Sequence, residues 1–560
     1  MTYNLSTLNL PKINGRPLRL FAGAIDSPLR GPVINQLLKQ GGVLGLREAH
    51  FPDPPTFYPL ALAEAAAHRD LPAVDWDTLQ ATIGQHPNRE PFASAADYAR
   101  AYRDHTATPE TVAGAVLAAI ADADDDPRAL RAFRATNRDN LMAQAAASTA
   151  RHHAGRPLSL LDGVPVAVKD EVDQIPYGTT VGTSFLGKSP AAEDATIVAR
   201  LRAAGALLIG KTNMHEIGIN PDGFNEHYGI VRNPYSLNCH AGGSSNGSAA
   251  AVAAGICPVA IGADGGGSIR IPAALTGIVG LKATFGRVSE HGAFPLTWSM
   301  GHLGPIGATV SDVALVYACI AGPDLRDPNT MSQPPVSLQG WDNTNLRGLR
   351  LGIYQPWFDH AAPEIVEDCR AMIAHLEEMG ATVHEVEIPE LDEMRVAQAS
   401  IILTEMAANM AAYADHWREL SPSTRINLSL GQATTSYDYL QAQRVRTRAL
   451  DHFRRAFALC DVILTPATAV TAPVVPDNCE KDGWSDLGTV TELMRFAMPG
   501  NLTGLPAIAF PVGYDPRGLP TGMQAMGRPW EEHVLLRVAY AAEQVLPRRR
   551  PPTYYDLLKK

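Results

Sequence analysis

Two serines and one lysine in this 560-residue chain have the residue types and surroundings that covalent acyl transfer requires. The run His240-Ala241-Gly242-Gly243-Ser244-Ser245-Asn246-Gly247-Ser248 is followed by Gly265-Gly266-Gly267-Ser268-Ile269-Arg270-Ile271-Pro272. Serine offers a nucleophilic oxygen, and glycines leave backbone N–H groups open to a developing oxyanion. Ser244 lies 24 residues before Ser268, so the segment between can fold back and bring the hydroxyls together. A serine also needs a base. Asp162-Gly163-Val164-Pro165-Val166-Ala167-Val168-Lys169-Asp170 reads as a short buried strand ending on a lysine. Burying an ammonium is costly, and desolvation favours the neutral amine, which accepts protons. Ser–Lys pairs are a known variant of serine-hydrolase chemistry. Singly, a strand-end lysine is usually a snorkelling surface residue and a Gly/Ser run a flexible loop. Specificity comes from their joint occurrence.

Together, residues 242–251 and 262–273 resemble the amidase signature family. The resemblance extends to its plant-type fatty acid amide hydrolases through Leu20-Phe21, Ser27-Pro28-Leu29 and Pro389-Glu390-Leu391-Asp392-Glu393-Met394-Arg395. Leu493-Met494-Arg495-Phe496 and Tyr555-Asp556-Leu557-Leu558 carry it to the end of the chain. It implies Ser268 as nucleophile, Ser244 (after a cis peptide from Gly243) as proton relay, and Lys169 as base. It further implies an oxyanion hole from the N–H groups of Gly265, Gly266, Gly267 and Ser268. Ser245, Asp264 and Arg270 are implied as supports, with Arg270 tied to Asp264. Many relatives carry Thr or Ile at the position of Gly265, whereas the plant-type enzymes have Gly. The loop Gly218-Ile219-Asn220-Pro221 is expected to line the acyl pocket, where plant-type enzymes have Gly and Thr at the last two positions. A helix from Thr491 through Met498 is expected to add apolar wall through Leu493, Met494 and Phe496.

Other signals lead nowhere. Gly205-Ala206-Leu207-Leu208-Ile209-Gly210-Lys211-Thr212 fits the P-loop pattern, but its variable positions are apolar and read as the strand itself, after a helix rather than before one. The six cysteines show no CxxC spacing, which argues against zinc and fits reduced thiols in a cytoplasmic protein. His215-Glu216 lacks the second histidine of a metal helix, so no metal or cofactor is expected. His240 is expected to be structural. A formal charge of −11, from 47 basic and 58 acidic residues, argues against a nucleic-acid partner. No signal peptide is evident, and the longest apolar stretch, broken by Pro258, is too short for a membrane span.

Strands and helices alternate from the lysine strand to about residue 310, an α/β pattern. The resemblance makes this a large twisted mixed sheet covered by helices on both faces. Residues 1–95 form a helical extension before a catalytic domain over residues 96–560. Within the extension, Pro32 to Lys39 reads as a short amphipathic helix ended by Gly41-Gly42. In plant-type relatives this region contributes to the dimer and the entrance. A homodimer and a peripheral membrane contact are therefore expected.

The expected activity is hydrolysis of N-acyl amides, such as N-acylethanolamines, through an acyl-enzyme. An alternative is a broad amidase, esterase or carbamate hydrolase on aryl or small amides. A further alternative is the glutaminase component of a tRNA-dependent amidotransferase, because Gln443-Arg444-Val445-Arg446-Thr447 resembles a stretch of that component where an arginine holds the glutamine carboxylate.

Overall fold

A computed structural model describes residues 3–8, 12–60, 71–86, 91–125, 128–477, 479 and 483–559. Eleven strands form one sheet. In chain order they are β1 (Phe133–Thr136), β2 (Pro165–Lys169), β3 (Leu207–Thr212), β4 (Val259–Ala263), β5 (Val279–Lys282), β6 (Leu303–Gly307), β7 (Arg350–Ile353), β8 (Thr382–Glu385), β9 (Val462–Pro466), β10 (Ala507–Tyr514) and β11 (Pro520–Gly527). Their order across the sheet is β8-β7-β9-β11-β10-β5-β6-β4-β2-β3-β1. The sheet is mixed: β2 runs parallel to β3 and β4, while β6 runs antiparallel to β4 and β5. Helices flank it, among them Val310–Ile320, Pro363–Glu378 and Glu532–Glu543. This is the α/β architecture that the alternating elements predict.

Burial explains the strand compositions. Every residue of β2 is buried, as is every residue of β4. A parallel strand covered on both faces reads as a continuous apolar run rather than an alternation. Val168 pairs with Ile261, so β2 and β4 end side by side. Lys169 closes one strand and Asp264 directly follows the other. Ligand sites in α/β sheets gather at such carboxyl ends.

A helical layer stands beside the sheet. Its main members are α4 (Leu391–Met410), α5 (Pro422–Ala433) and α6 (Ser436–Leu459). The N-terminal helices α1 (Gly15–Ile25) and α2 (Arg30–Gly41) rest on α5, and α3 (Val43–Glu48) on α4 and α6. The Gly41-Gly42 stop lies where the sequence predicts: Gly42 has φ +92, and a Cβ there would meet Val396 Cγ2 at 2.8 Å. Arg47 forks onto the buried carboxylate of Asp438 at 2.8 and 2.7 Å. Arg425 pairs with Asp26, and Arg448 reaches Asp53 at 2.9 Å. The N-terminal helices are thus fastened to α5 and α6, which pack against α4, the helix that carries Ile402 and Met406. No helix among the described residues is long and apolar enough to cross a membrane.

The α4–α5 contact is close because Gly431 has no side chain: a Cβ there would lie 2.0 Å from the Leu403 carbonyl oxygen. Gly431→Ala is expected to force the helices apart and cost about 1–3 kcal/mol. Thermal unfolding reads this directly; an unchanged midpoint would contradict the packing.

Candidate active site

Lys169 ends its strand with almost no exposed surface, at 1 %. Its Nζ lies 2.9 Å from Ser244 Oγ, 3.3 Å from the Ala263 carbonyl oxygen and 2.9 Å from Glu171 Oε2. The Gly243–Ser244 peptide is cis. Gly218 has φ +67, and a Cβ there would come within 3.2 Å of Ser244 Oγ, so a larger residue would crowd the hydroxyl. Ser245 joins the two serine runs: its N–H donates to the Ser268 carbonyl at 3.2 Å, and its Oγ to that of Ala263 at 3.1 Å. Ser268, half-buried, opens into the same cavity as Ser244 and Lys169. Among the described residues its hydroxyl makes no hydrogen bond, so the Ser244–Lys169 link is formed while a Ser268–Ser244 link is not. Catalytic hydrogen bonds commonly tighten only when substrate is bound.

The glycine turn is shaped by Asp264. Its carboxylate accepts from the N–H of Gly267 at 2.6 Å and of Ile269 at 3.1 Å. Arg270 forks onto the same carboxylate, Nε to Oδ2 at 3.0 Å and Nη2 to Oδ1 at 3.1 Å. Burial alone would raise the Asp264 carboxyl, but the Arg270 guanidinium beside it holds it well below the usual carboxylate range. This corrects one expected donor. The Gly267 N–H is engaged by Asp264 and is not free for an oxyanion. Gly267 serves instead through its conformation, φ +121, and through close packing, since a Cβ would lie 2.5 Å from Ile271 Cδ1. The N–H groups of Gly265, Gly266 and Ser268 have no acceptor among the described residues.

These groups face a cavity of about 170 Å³. Gly218, Ile219, Asn220 and Pro221 line it, with Leu296, Ile402, Met406 and Met494 as further apolar wall. The Asn220 side-chain carbonyl accepts from Asn427 Nδ2 at 3.1 Å, which fixes the loop against α5. The helix expected from Thr491 to Met498 is two helices, Leu487–Met494 and Met498–Leu502. Asp486 caps the first, accepting from the Thr489 N–H at 3.0 Å, and Pro499 sits in the first turn of the second. Only Met494 of its three apolar residues reaches the cavity; Leu493 and Phe496 are buried in separate clusters. Arg446 does not line the cavity. It donates to the Phe57 carbonyl at 2.5 Å and to Ser299 Oγ at 3.1 Å.

Two carboxyl side chains of the cavity wall, Glu171 and Glu290, were not singled out from the sequence. Glu171 stands two residues beyond Lys169, but the strand ends at Lys169 and the chain turns through residues 170–171, so strand alternation does not assign it to the lysine's face. Glu290 lies in a loop whose placement has no local signal. That loop is pinned from behind by Glu405 of α4, which accepts from Thr297 Oγ1, Ser299 N–H and Ser299 Oγ.

The chain matches the family described as Amidase over residues 114–536. It is 38 % identical over 587 residues to a fatty acid amide hydrolase of Medicago truncatula, covering 99 % of this chain and 96 % of that one. It is also 38 % identical over 447 residues to a component of the glutamyl-tRNA(Gln) amidotransferase of Symbiobacterium thermophilum, covering 74 % and 90 %. Among solved structures it resembles a peptide amidase from Stenotrophomonas maltophilia, with a TM-score of 0.70, 30 % identity, and 84 % and 100 % of the two chains covered.

His240, four residues before Ser244, is a neutral acceptor: the Gly242 N–H donates to its Nδ1 at 3.1 Å. Burial pushes its imidazole down to about 3. Between pH 6.5 and 3 the unfolded chain therefore takes up a proton that the folded chain refuses. Stability is full above pH 6.5 and falls as the pH drops toward 3. Wild type is expected to lose about 2 kcal/mol more than His240→Gln between pH 7.5 and 5.0, measured by urea unfolding. Parallel losses in the two proteins would contradict this role for His240.

Proposed function

We propose a function from one premise: this chain belongs to the amidase family. It is an amide-cleaving hydrolase, and its chemistry is acyl transfer through Ser268. Ser268 Oγ attacks the carbonyl carbon and passes its proton to Ser244, which passes its own to Lys169, the base of the relay. The N–H groups of Gly265, Gly266 and Ser268 receive the oxyanion, each donor stabilising the transition state by about 3 kcal/mol. The proton returns through Ser244 to the departing nitrogen, because an amine leaves readily only once protonated. Water then attacks the ester and repeats the relay. The observation that carries this reading is the 2.9 Å contact between Lys169 Nζ and Ser244 Oγ, beside three open N–H donors.

The substrate is an N-acyl amide with an apolar acyl group. Ile219, Leu296, Ile402, Met406 and Met494 support this, as does the similarity to the Medicago truncatula fatty acid amide hydrolase. At about 170 Å³ the cavity is smaller than the roughly 300–1,000 Å³ of most ligand sites, which favours a medium-length chain. A second reading, an aryl amidase, is favoured by Phe294 and Trp298 on the wall. The inward placement of Arg446 argues against the glutaminase of an amidotransferase. The reading includes residues 1–95 as an extension to a catalytic domain over 96–560. It also includes a homodimer and a peripheral lipid contact, for which exposed Leu20 and Leu29 are available.

Amine release from N-acylethanolamides of increasing chain length tests the reading. Wild-type rates are expected to rise with chain length until the cavity is filled, and Ser268→Ala to lower them at least about a thousandfold. Ser268-dependent cleavage of small anilides alone would select the aryl reading. Release that survives Ser268→Ala would overturn the mechanism.

A further inference from the structure

Four of the five titratable side chains on the cavity wall are accounted for. Lys169 and Glu171 pair with each other at 2.9 Å. Asp264 is neutralised by Arg270. His302 is held neutral, pushed well down by burial; its Nδ1–H donates to the Met300 carbonyl at 2.8 Å, and its Nε2 faces Lys282 Nζ at 3.3 Å. Glu290 is the exception. Its carboxyl makes no hydrogen bond or ion pair among the described residues, although its backbone N–H is anchored on Asp327 Oδ2 at 2.9 Å. The carboxyl lies directly over Gly301, where a Cβ would come within 2.6 Å of Oε1 and 3.2 Å of Oε2. It stands at the border between the main cavity and a recess of about 10 Å³, lined by Thr284, Asp327 and Asn329, with room for about one water molecule.

The position of Glu290 relative to the reacting groups decides what it meets. The apolar wall lies by the open N–H donors: a Cβ on Gly265 would touch Ile402, and one on Gly266 would touch Met494. Glu171 touches the base, and the loop that carries Glu290 runs beside it, with the Phe294 N–H donating to the Glu171 carbonyl at 2.8 Å and Ala293 bridged to Val172. The acidic wall is therefore on the lysine side, where the relay must hand its proton to the leaving nitrogen. We propose, resting on the hydrolase reading above, that Glu290 selects amides whose amine portion carries a second, cationic amine, as in a mono-acylated diamine. The charge balance supports this. Burial raises the Glu290 carboxyl well above its ordinary range, and the charges of Asp327, Glu171 and Glu405 push it the same way. With a neutral amine portion nothing offsets that upward push on the carboxyl. An ammonium beside it lets it ionise and form a charge-assisted hydrogen bond, the stronger kind. An anionic amine portion would face Glu171 and Glu290 with no free cation to offset them.

The test uses three amides that share one medium-length acyl group and differ in the amine: 2-hydroxyethyl, 2-aminoethyl and carboxymethyl. Amine release is followed at pH 7 for wild type, Glu290→Gln and Glu290→Asp. Wild type is expected to favour the aminoethyl over the hydroxyethyl amide at least fivefold in kcat/KM, with the carboxymethyl amide poorest. That ratio is expected to fall at least fivefold in Glu290→Gln and to stay within threefold of wild type in Glu290→Asp, which keeps the charge. Because a ratio is read, a general loss of folded enzyme cancels. A smaller wild-type preference, a smaller fall in Glu290→Gln, or a fall that Glu290→Asp shares, would overturn the assignment while leaving the hydrolase reading intact. Release from none of the three would overturn the hydrolase reading and this inference with it.

Discussion

The active site is organised around one buried carboxylate, that of Asp264. Arg270 is fully buried beside it and spreads its remaining hydrogen bonds to the Ala497 carbonyl, Asn501 Oδ1 and Gln524 Oε1. Asn501 in turn donates to Asp264 Oδ1 at 2.9 Å. The pair therefore joins the end of β4, the glycine turn, the helix Met498–Leu502 and strand β11. Desolvating two ions offsets most of their attraction, so such a pair adds little net stability while its loss leaves an unpaired charge. Its value here is geometric. Asp264 engages the N–H groups of Gly267 and Ile269, while those of Gly265, Gly266 and Ser268, on the cavity wall, have no acceptor among the described residues.

The second constraint is the alignment of β2 with β4. Parallel neighbours that end together place Lys169 against the turn that begins at Asp264, and the Ala263 carbonyl accepts from both Lys169 and Ser245. Ser244 is flanked on three sides, by Lys169, by the close approach of Gly218 and by the Ser245 staple. Farther out, α4 supplies Ile402 and Met406 to the wall and, through Glu405, holds the loop that carries the cavity's other side. The N-terminal helices reinforce this layer from outside.

Much of this is legible in the sequence because local signals agree with tertiary placement. The lysine strand is an unbroken apolar run, and the helix at residues 95–103 begins with a Ser94 capping box. Where the sequence misleads, the cause is non-local. Gly267 looks like its glycine neighbours, and only the fold-back of the Asp264 carboxylate singles out its N–H. Residues 491–498 have helical composition, but the Asp486 cap and Pro499 shift the boundaries and send Leu493 and Phe496 into different cores. Glu290 reaches the cavity only because a loop from another part of the chain is folded under α4. No spacing in the sequence encodes that.

The most direct test of the central claim is the turnover of Asp264→Asn, measured on protein whose circular dichroism shows it folded. If the carboxylate sets the glycine turn, kcat falls at least about a hundredfold while KM changes little, because transition-state donors are lost and the apolar wall is untouched. A folded Asp264→Asn enzyme with wild-type kcat would contradict the account.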